Sequence, residues 1–460
     1  MEIKQQIPVV EGHFLLGSLK EVKKDFLAFM ARKFVEHGSV LKFYLGRKPV
    51  YMISDPELIE QLMVKHKDVF IKAYLPDKPR GLALVLGQGL VTSLGALWKS
   101  QRRMIQPIFH RSNIATMSDK ISELSSDYVS ELKQKDGAVV DMATQLSALT
   151  LEIISQTMFG HTAEKLSTRL SSDLETLLDY AQTNLFHPFP LPRFIPTRKN
   201  RQFNKARAFL TDSIIEIIEQ RKTSGEKHDD LLDVLLQARD EETGVGMSSQ
   251  QIVDEALTIY SAGHETTATA LTWALYMIAT HVEVRDKLEA ELDSVLQGRS
   301  AAVDELQNLP YMRAVLEETM RLYPSIVLLL RRVASNQIVT DHLFQKNSYT
   351  LINLYNLHRA PAYWEQPETF RPERFMAENR EKIKKYTYLP FGVGQRVCIG
   401  NHFAMMEAML ILATLMQAFR FDYASPMAPV PKLAVSLRPA AGMPMRITRR
   451  ESTNTANYAA

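Results

Sequence analysis

The sequence predicts a large, mainly α-helical protein with small β-sheets, and three observations predict it. Apolar residues recur at helical spacing through most of the chain after Trp98. One run, Ser248 to His281, continues for 34 residues without a proline; as a helix it would be roughly 50 Å long and would cross the whole molecule. No internal repeat, low-complexity tract or linker divides the 460 residues, although that length exceeds the usual ceiling for one core. Residues 1–450 are therefore expected to form a single domain, and residues 451–460 a polar C-terminal tail that is expected to be disordered.

In chain order, Val22, Phe26, Phe29, Met30 and Phe34 predict one helix over Lys20 to His37. Val40 to Leu45 and Val50 to Ile53 read as a hairpin around Gly46-Arg47, and Asp55-Pro56 opens another helix. Tyr74 to Leu94, with Pro76, Pro79 and glycines 81, 87 and 89, reads as an irregular loop able to close over a pocket. Helices are expected over Trp98–Phe109, Asn113–Lys133, Asp141–Phe159, Leu166–Gln182 and Gln202–Lys222. The prolines at 188, 190, 192 and 196 cannot lie inside one. After the long central helix come helical Glu283–Leu296 and Met312–Tyr323, strand-like segments, a proline-broken stretch from Ala360 to Phe375, and a last helix, Asn401–Phe419.

Composition narrows the function. Hydrophobic residues make up 45% of the chain and charged residues 23%, enough apolar surface for a large core. A net charge of +3 is far from the excess expected of a nucleic-acid binder. One cysteine cannot form an intrachain disulfide and fits a reducing compartment, with the cytoplasm as default. The N-terminus, interrupted by Pro8, offers neither a signal-peptide core nor a membrane span.

That cysteine lies in YLPFGVGQRVCIG, Tyr388 to Gly400. It sits between glycines and just before an apolar helix, where backbone N–H groups and the helix dipole favour a thiolate. Glycines 392, 394 and 400 permit positive φ and close approach to a flat ligand, and Phe391 can pack on the sulfur or the ring. A dinucleotide fingerprint would need a third glycine at its spacing, and Cys398 with His402 is too small a ligand set for structural zinc. Inside the long run, Ala262-Gly263-His264-Glu265-Thr266-Thr267 places a poor helix former beside a carboxylate and two hydroxyls. Taken alone, Gly263 reads equally as a close-packing position.

These segments carry a resemblance. The first is similar to the haem-binding signature of the cytochrome P-450 superfamily, Phe-X-X-Gly-X-Arg-X-Cys-X-Gly, with Phe391, Gly394, Arg396, Cys398 and Gly400 at its fixed positions and Phe403, Ala404 and Glu407 following. The second resembles the family's oxygen-binding groove. Glu318 and Arg321 with Arg374 resemble its buried Glu-Arg-Arg triad, and Trp98 with Arg102 its Trp-X-X-X-Arg haem pattern. The chain resembles a soluble, bacterial-type member with microsomal-like motifs.

The resemblance implies a single haem-thiolate monooxygenase domain of the family's fold, with haem b (heme b, iron protoporphyrin IX) between the long central helix and the helix after the cysteine loop. It makes Cys398 the metal ligand, its thiolate pushing electron density onto iron. Trp98, Arg102, Arg396 and Arg331, with Arg332 as the competing choice, would meet the propionates, and Ala262, Gly263 and Ala404 would also line the cofactor. A local opening of the central helix would admit dioxygen, with Thr266 hydrogen-bonding it and Glu265 feeding protons. One oxygen atom would enter a hydrophobic small molecule such as a fatty acid or a terpenoid.

Electrons would come from a separate ferredoxin or flavodoxin-type donor with its reductase, docking on a patch of Lys99, Arg103, Lys384 and Lys385. The pocket would draw on the Tyr74–Leu94 loop, the region near Phe186, Thr258, Ala262, Ser325–Leu330 and Ser436-Leu437. No permanent membrane anchor is expected. The alternatives are a peroxide-driven peroxygenase, an isomerising haem-thiolate enzyme and a non-catalytic haem sensor.

Overall fold

In the computed structural model the residues described are 7–74, 79–160, 164–186, 191–224 and 230–450. The tail expectation lies outside them. The central helix runs unbroken from Ser249 to Thr280. Its start is fixed by a capping box: Ser248 Oγ accepts from Gln251 N at 3.2 Å and Gln251 Oε1 from Ser248 N at 2.9 Å. The expected opening near Gly263 is absent, and that stretch stays helical.

This helix is buried on nearly every side, as its continuous apolar and small residues require. It packs on the helix Met142–Phe159 and on the cysteine helix Asn401–Ala418, and the largest apolar core, from Leu84 to Ile447, forms around it. A second and a third cluster fill the two faces of a five-stranded sheet ordered Val40–Leu45, Lys48–Ile53, Tyr349–Asn353, Leu328–Val333, Phe70–Lys72. All its pairings are antiparallel except Lys48–Ile53 with Tyr349–Asn353. A hairpin of Pro431–Leu433 and Leu437–Pro439 and a three-stranded sheet of Val139–Asp141, Pro444–Arg449 and Phe419–Tyr423 complete the main strand pairings near the core.

Several boundaries differ from the sequence reading for local reasons. The helix expected over Lys20–His37 is two, Leu19–Lys24 and Phe26–His37, because Asp25 is extended and its carboxylate accepts from Ala28 N as an N-cap. Asn113–Lys133 divides into Arg111–Ala115 and Ser118–Leu132. The helix Leu231–Gln237, capped by Asp230, escaped the periodicity reading because it is only seven residues long. The loop before Leu94 contains one short turn of helix, Ala83–Leu86.

Candidate active site

The cysteine loop is built from the backbone outward. Gly394 has φ +72°, and a Cβ there would fall 2.3 Å from the carbonyl oxygen of Met63, so only glycine lets this turn lie against the helical segment Gln61–Lys65. Gly392 also takes a positive φ, but Gly400 does not: at φ −93° it is the N-cap of the cysteine helix. The turn closes when Cys398 N donates to Phe391 O at 2.9 Å, and Ala404 N donates to Gly400 O in the helix's first turn.

Cys398 carries exposed surface, yet burial is the main influence on its thiol and pushes its pKa up; the Gly400 amide and Arg102 pull it down. A sulfur facing an internal cleft has both properties. The Gly400 amide acts in the expected direction, toward the thiolate, against desolvation. Across the core, Ala262 is exposed in a helix most of whose residues are buried, and Thr266, half-buried, donates to Ala262 O at 2.8 Å. Gly263 is turned elsewhere. A Cβ there would lie 2.7 Å from Ile154 Cδ1, so its small size lets the central helix pack on Met142–Phe159, the close-packing reading of this glycine.

Four cations gather beside the cysteine loop. Arg396 lies over the Trp98 ring at 3.9 Å and donates to Ser93 O at 2.9 Å, while its Nε is buried without a partner among the described residues. Arg102 donates to Val397 O at 3.0 Å. Arg331 is buried and sits directly opposite Lys72 in the antiparallel pair Phe70–Lys72 with Leu328–Val333. Arg332, by contrast, donates to Asn347 Oδ1 at 3.2 Å.

Like charges facing across a strand pair repel, and the pKa of Lys72 records it. Burial, then Arg331 and Arg102, lower Arg396 to about 9. Burial lowers Arg331 to about 10. Burial, Arg331 and Arg396 hold Lys72 well below the usual ammonium range. Among the described residues no carboxylate forms an ion pair with any of the four. A dianionic ligand with a flat body, such as a haem with two propionates, fits this donor set. Lys72 escaped the sequence reading because nothing in its local sequence marks it; only strand pairing brings it to Arg331.

The relay residues adjoin different groups. Glu265 Oε1 accepts from Ser436 Oγ at 2.7 Å, while Thr266 O accepts from Ser325 Oγ at 2.8 Å and His264 O from Thr150 Oγ1 at 3.0 Å. Neither Ser325 nor Thr150 had been marked for this. The triad forms as expected. Buried Glu318 accepts from Arg321 Nε at 2.7 Å and Arg374 Nε at 3.2 Å, and Arg321 also binds His358 O and Pro367 O.

The docking patch is weaker than expected. Arg103 is paired with Asp240 and Glu242, and Lys384 with Glu57. The pocket expectation near Phe186 lies outside the described side chains. Among the described residues no helix is long and apolar enough to cross a membrane.

The family model described as Cytochrome P450 matches residues 7–443. Cyclooctatin synthase of Streptomyces melanosporofaciens is 32% identical over 431 residues, covering 93% of this chain and 90% of the relative. Cyclooctat-9-en-7-ol 5-monooxygenase of the same organism is 31% identical over 407 residues, 88% of this chain and 87% of the relative. A solved structure, "Crystal structure of cytochrome P450DA heme domain", superposes with a TM-score of 0.87 at 25% identity, covering 97% of this chain and 98% of that one.

Proposed function

From the premise that this chain belongs to the cytochrome P450 family and is a haem-dependent monooxygenase, we propose a hydrophobic small molecule as its substrate, a separate protein as its electron donor, and the residue roles that follow. The observation that carries the role assignment is the cluster of Lys72, Arg102, Arg331 and Arg396, without an anionic partner among the described residues, beside an enclosed cysteine. Haem b, bound through Cys398, would supply reductive activation of dioxygen, with one oxygen atom passing to the substrate and the other to water.

The chain's own residues divide the remaining work. Arg102, Arg331, Arg396 and Lys72 would neutralise the two propionates, and Trp98 would hold the Arg396 guanidinium flat beneath its ring. Thr266, on the helix face that exposes Ala262, would hydrogen-bond the reacting oxygen, and Glu265 would bring protons to that side. Phe391, Gly394, Gly400 and Ala404 would shape the cysteine side. Electron supply from a ferredoxin or flavodoxin-type donor remains the reading, with Lys99 and Lys385 as better candidates for contact than the paired Arg103 and Lys384.

Leu329, which lies against Gly392 of the cysteine loop, and Ala262 would give the pocket an apolar lining, which favours a fatty acid or a terpenoid; the unsaturated alcohol in one relative's name belongs in the test panel. Titration of such compounds into the purified protein should shift the Soret band by displacing a water ligand. A panel in which only small polar compounds produce the shift would refute the substrate class.

A further inference from the structure

We propose that Ser436 is a positioning residue that holds Glu265 against the inner wall of a polar cavity through which protons arrive from solvent. The proposal rests on the reading of Glu265 as the proton carrier and names what places it.

Ser436 is fully buried at the tip of the hairpin Pro431–Leu433/Leu437–Pro439. Its Oγ donates to Glu265 Oε1 at 2.7 Å and lies 3.1 Å from Thr269 Oγ1. A serine hydroxyl has one proton. With that proton given to the carboxylate, Thr269 must be the donor to Ser436, so the chain runs from Thr269 through Ser436 to Glu265. The tip is anchored from three sides: Trp273 Nε1 donates to Leu437 O at 2.6 Å, Leu437 N to Ser325 O at 2.9 Å, and Gln182 Nε2 to Leu433 O at 2.8 Å.

The second oxygen is unpartnered. Glu265 Oε2 is buried without a hydrogen-bond partner among the described residues, which is costly for a carboxylate. Glu265 lines a cavity of about 360 Å³ together with Thr144, Ser147, His264 and Thr272. That volume far exceeds what one water needs, and the hydroxyls give waters partners. The outer lining includes Asp179 and Arg438, paired at 3.1 Å, with Asp179 mostly exposed, so the cavity reaches solvent.

Glu265 and Thr266 are adjacent on the helix and so point about 100° apart. In the position that Ser436 fixes, Glu265 lines the cavity. A proton leaves solvent, resides on Glu265 as the neutral acid, and passes to the Thr266 side when the side chain turns, which restores the carboxylate; no electron moves. Loss of Ser436 Oγ removes the fixed loading position while Glu265 and Thr266 stay in place.

The test compares Ser436→Ala, Ser436→Thr, Thr269→Val and Glu265→Gln in the haem-loaded protein with a substrate that shifts the Soret band. Two readouts are taken: the carboxylate stretch assigned by infrared difference against Glu265→Gln, and peroxide released per electron pair consumed, in H2O and D2O. Ser436→Ala should move the Glu265 stretch, raise peroxide release roughly fivefold, the size expected for one lost hydrogen bond, and change the solvent isotope effect; Ser436→Thr should restore all three. Should Ser436→Ala fail to retain haem, Thr269→Val, which keeps shape and removes the donor, should give the same shifts in smaller measure. A Glu265→Gln effect with Ser436→Ala and Thr269→Val both silent overturns the proposal and leaves Glu265 as carrier. Silence of Glu265→Gln itself overturns the proton-carrier reading and the proposal with it.

Discussion

Single residues decide much of the site, and they differ in how visible they are from the sequence. Cys398, Arg396 and Trp98 are legible because their spacing is fixed by one turn and one helix. Lys72 and Ser436 are not, since each acquires its partner from a segment far away in sequence. Gly394 combines a positive φ with the Met63 carbonyl 2.3 Å from where a Cβ would be; Gly394→Ala should cost about 1–3 kcal/mol, measured by denaturant unfolding, with loss of haem retention. Glu407 is fully buried between the cysteine helix and the central helix, and burial raises its pKa to about 8, with Thr267 the only opposing influence. A folded pKa above the unfolded one means that its stabilising contribution is complete below the unfolded value near 4.5 and declines as pH rises toward 8. Glu407→Gln, neutral at every pH, should therefore flatten the fall in melting temperature between pH 6 and pH 9; an unchanged slope would show that Glu407 is not the titrating group.

At the scale of elements, the central helix was readable almost to the residue because a run without proline marks it; the capping box at Ser248 emerged only in the structure. Its expected opening was not found: the resemblance implied one, and the structure keeps the segment helical. The loop before Leu94 was readable as irregular but not in its attachments. Asp254 and Glu255, neighbours on the central helix, accept from Gln88 N and Leu90 N at 2.8 and 2.9 Å, Gln101 Nε2 donates to Gln88 O, and Arg396 reaches Ser93 O. The loop is thus stapled to three elements, one of them the cysteine loop. Glu255→Ala should raise amide exchange at Leu90 roughly tenfold while exchange in the helix Met142–Phe159 is unchanged; equal protection of Leu90 in both proteins would remove Glu255 from the clamp.

For the whole molecule, one apolar cluster gathers residues from Leu84 to Ile447 around the central helix, and we propose that residues 1–450 form one domain. Charges fix how its parts meet. Glu318 holds Arg321 and Arg374 in a dry site, and Arg321 in turn gathers the carbonyls of His358, Pro367 and Thr369. Removing the anion leaves two buried guanidinium groups uncompensated, so Glu318→Gln should destabilise the protein by about 3–5 kcal/mol, read as a lower denaturant midpoint and poor haem incorporation. The family and its cofactor were legible because ordered motifs span the chain. Substrate and electron donor were not, because apolar lining and exposed lysines carry no unique chemical address.

The central claim is that Cys398 ligates the haem iron, and it is tested most directly by the absorbance difference spectrum of the dithionite-reduced protein with and without carbon monoxide, on wild type and on Cys398→Ser. The account predicts a strongly red-shifted Soret band in the wild type that vanishes in the variant; a band at the position of an imidazole-ligated haem, or one that survives in Cys398→Ser, would contradict it.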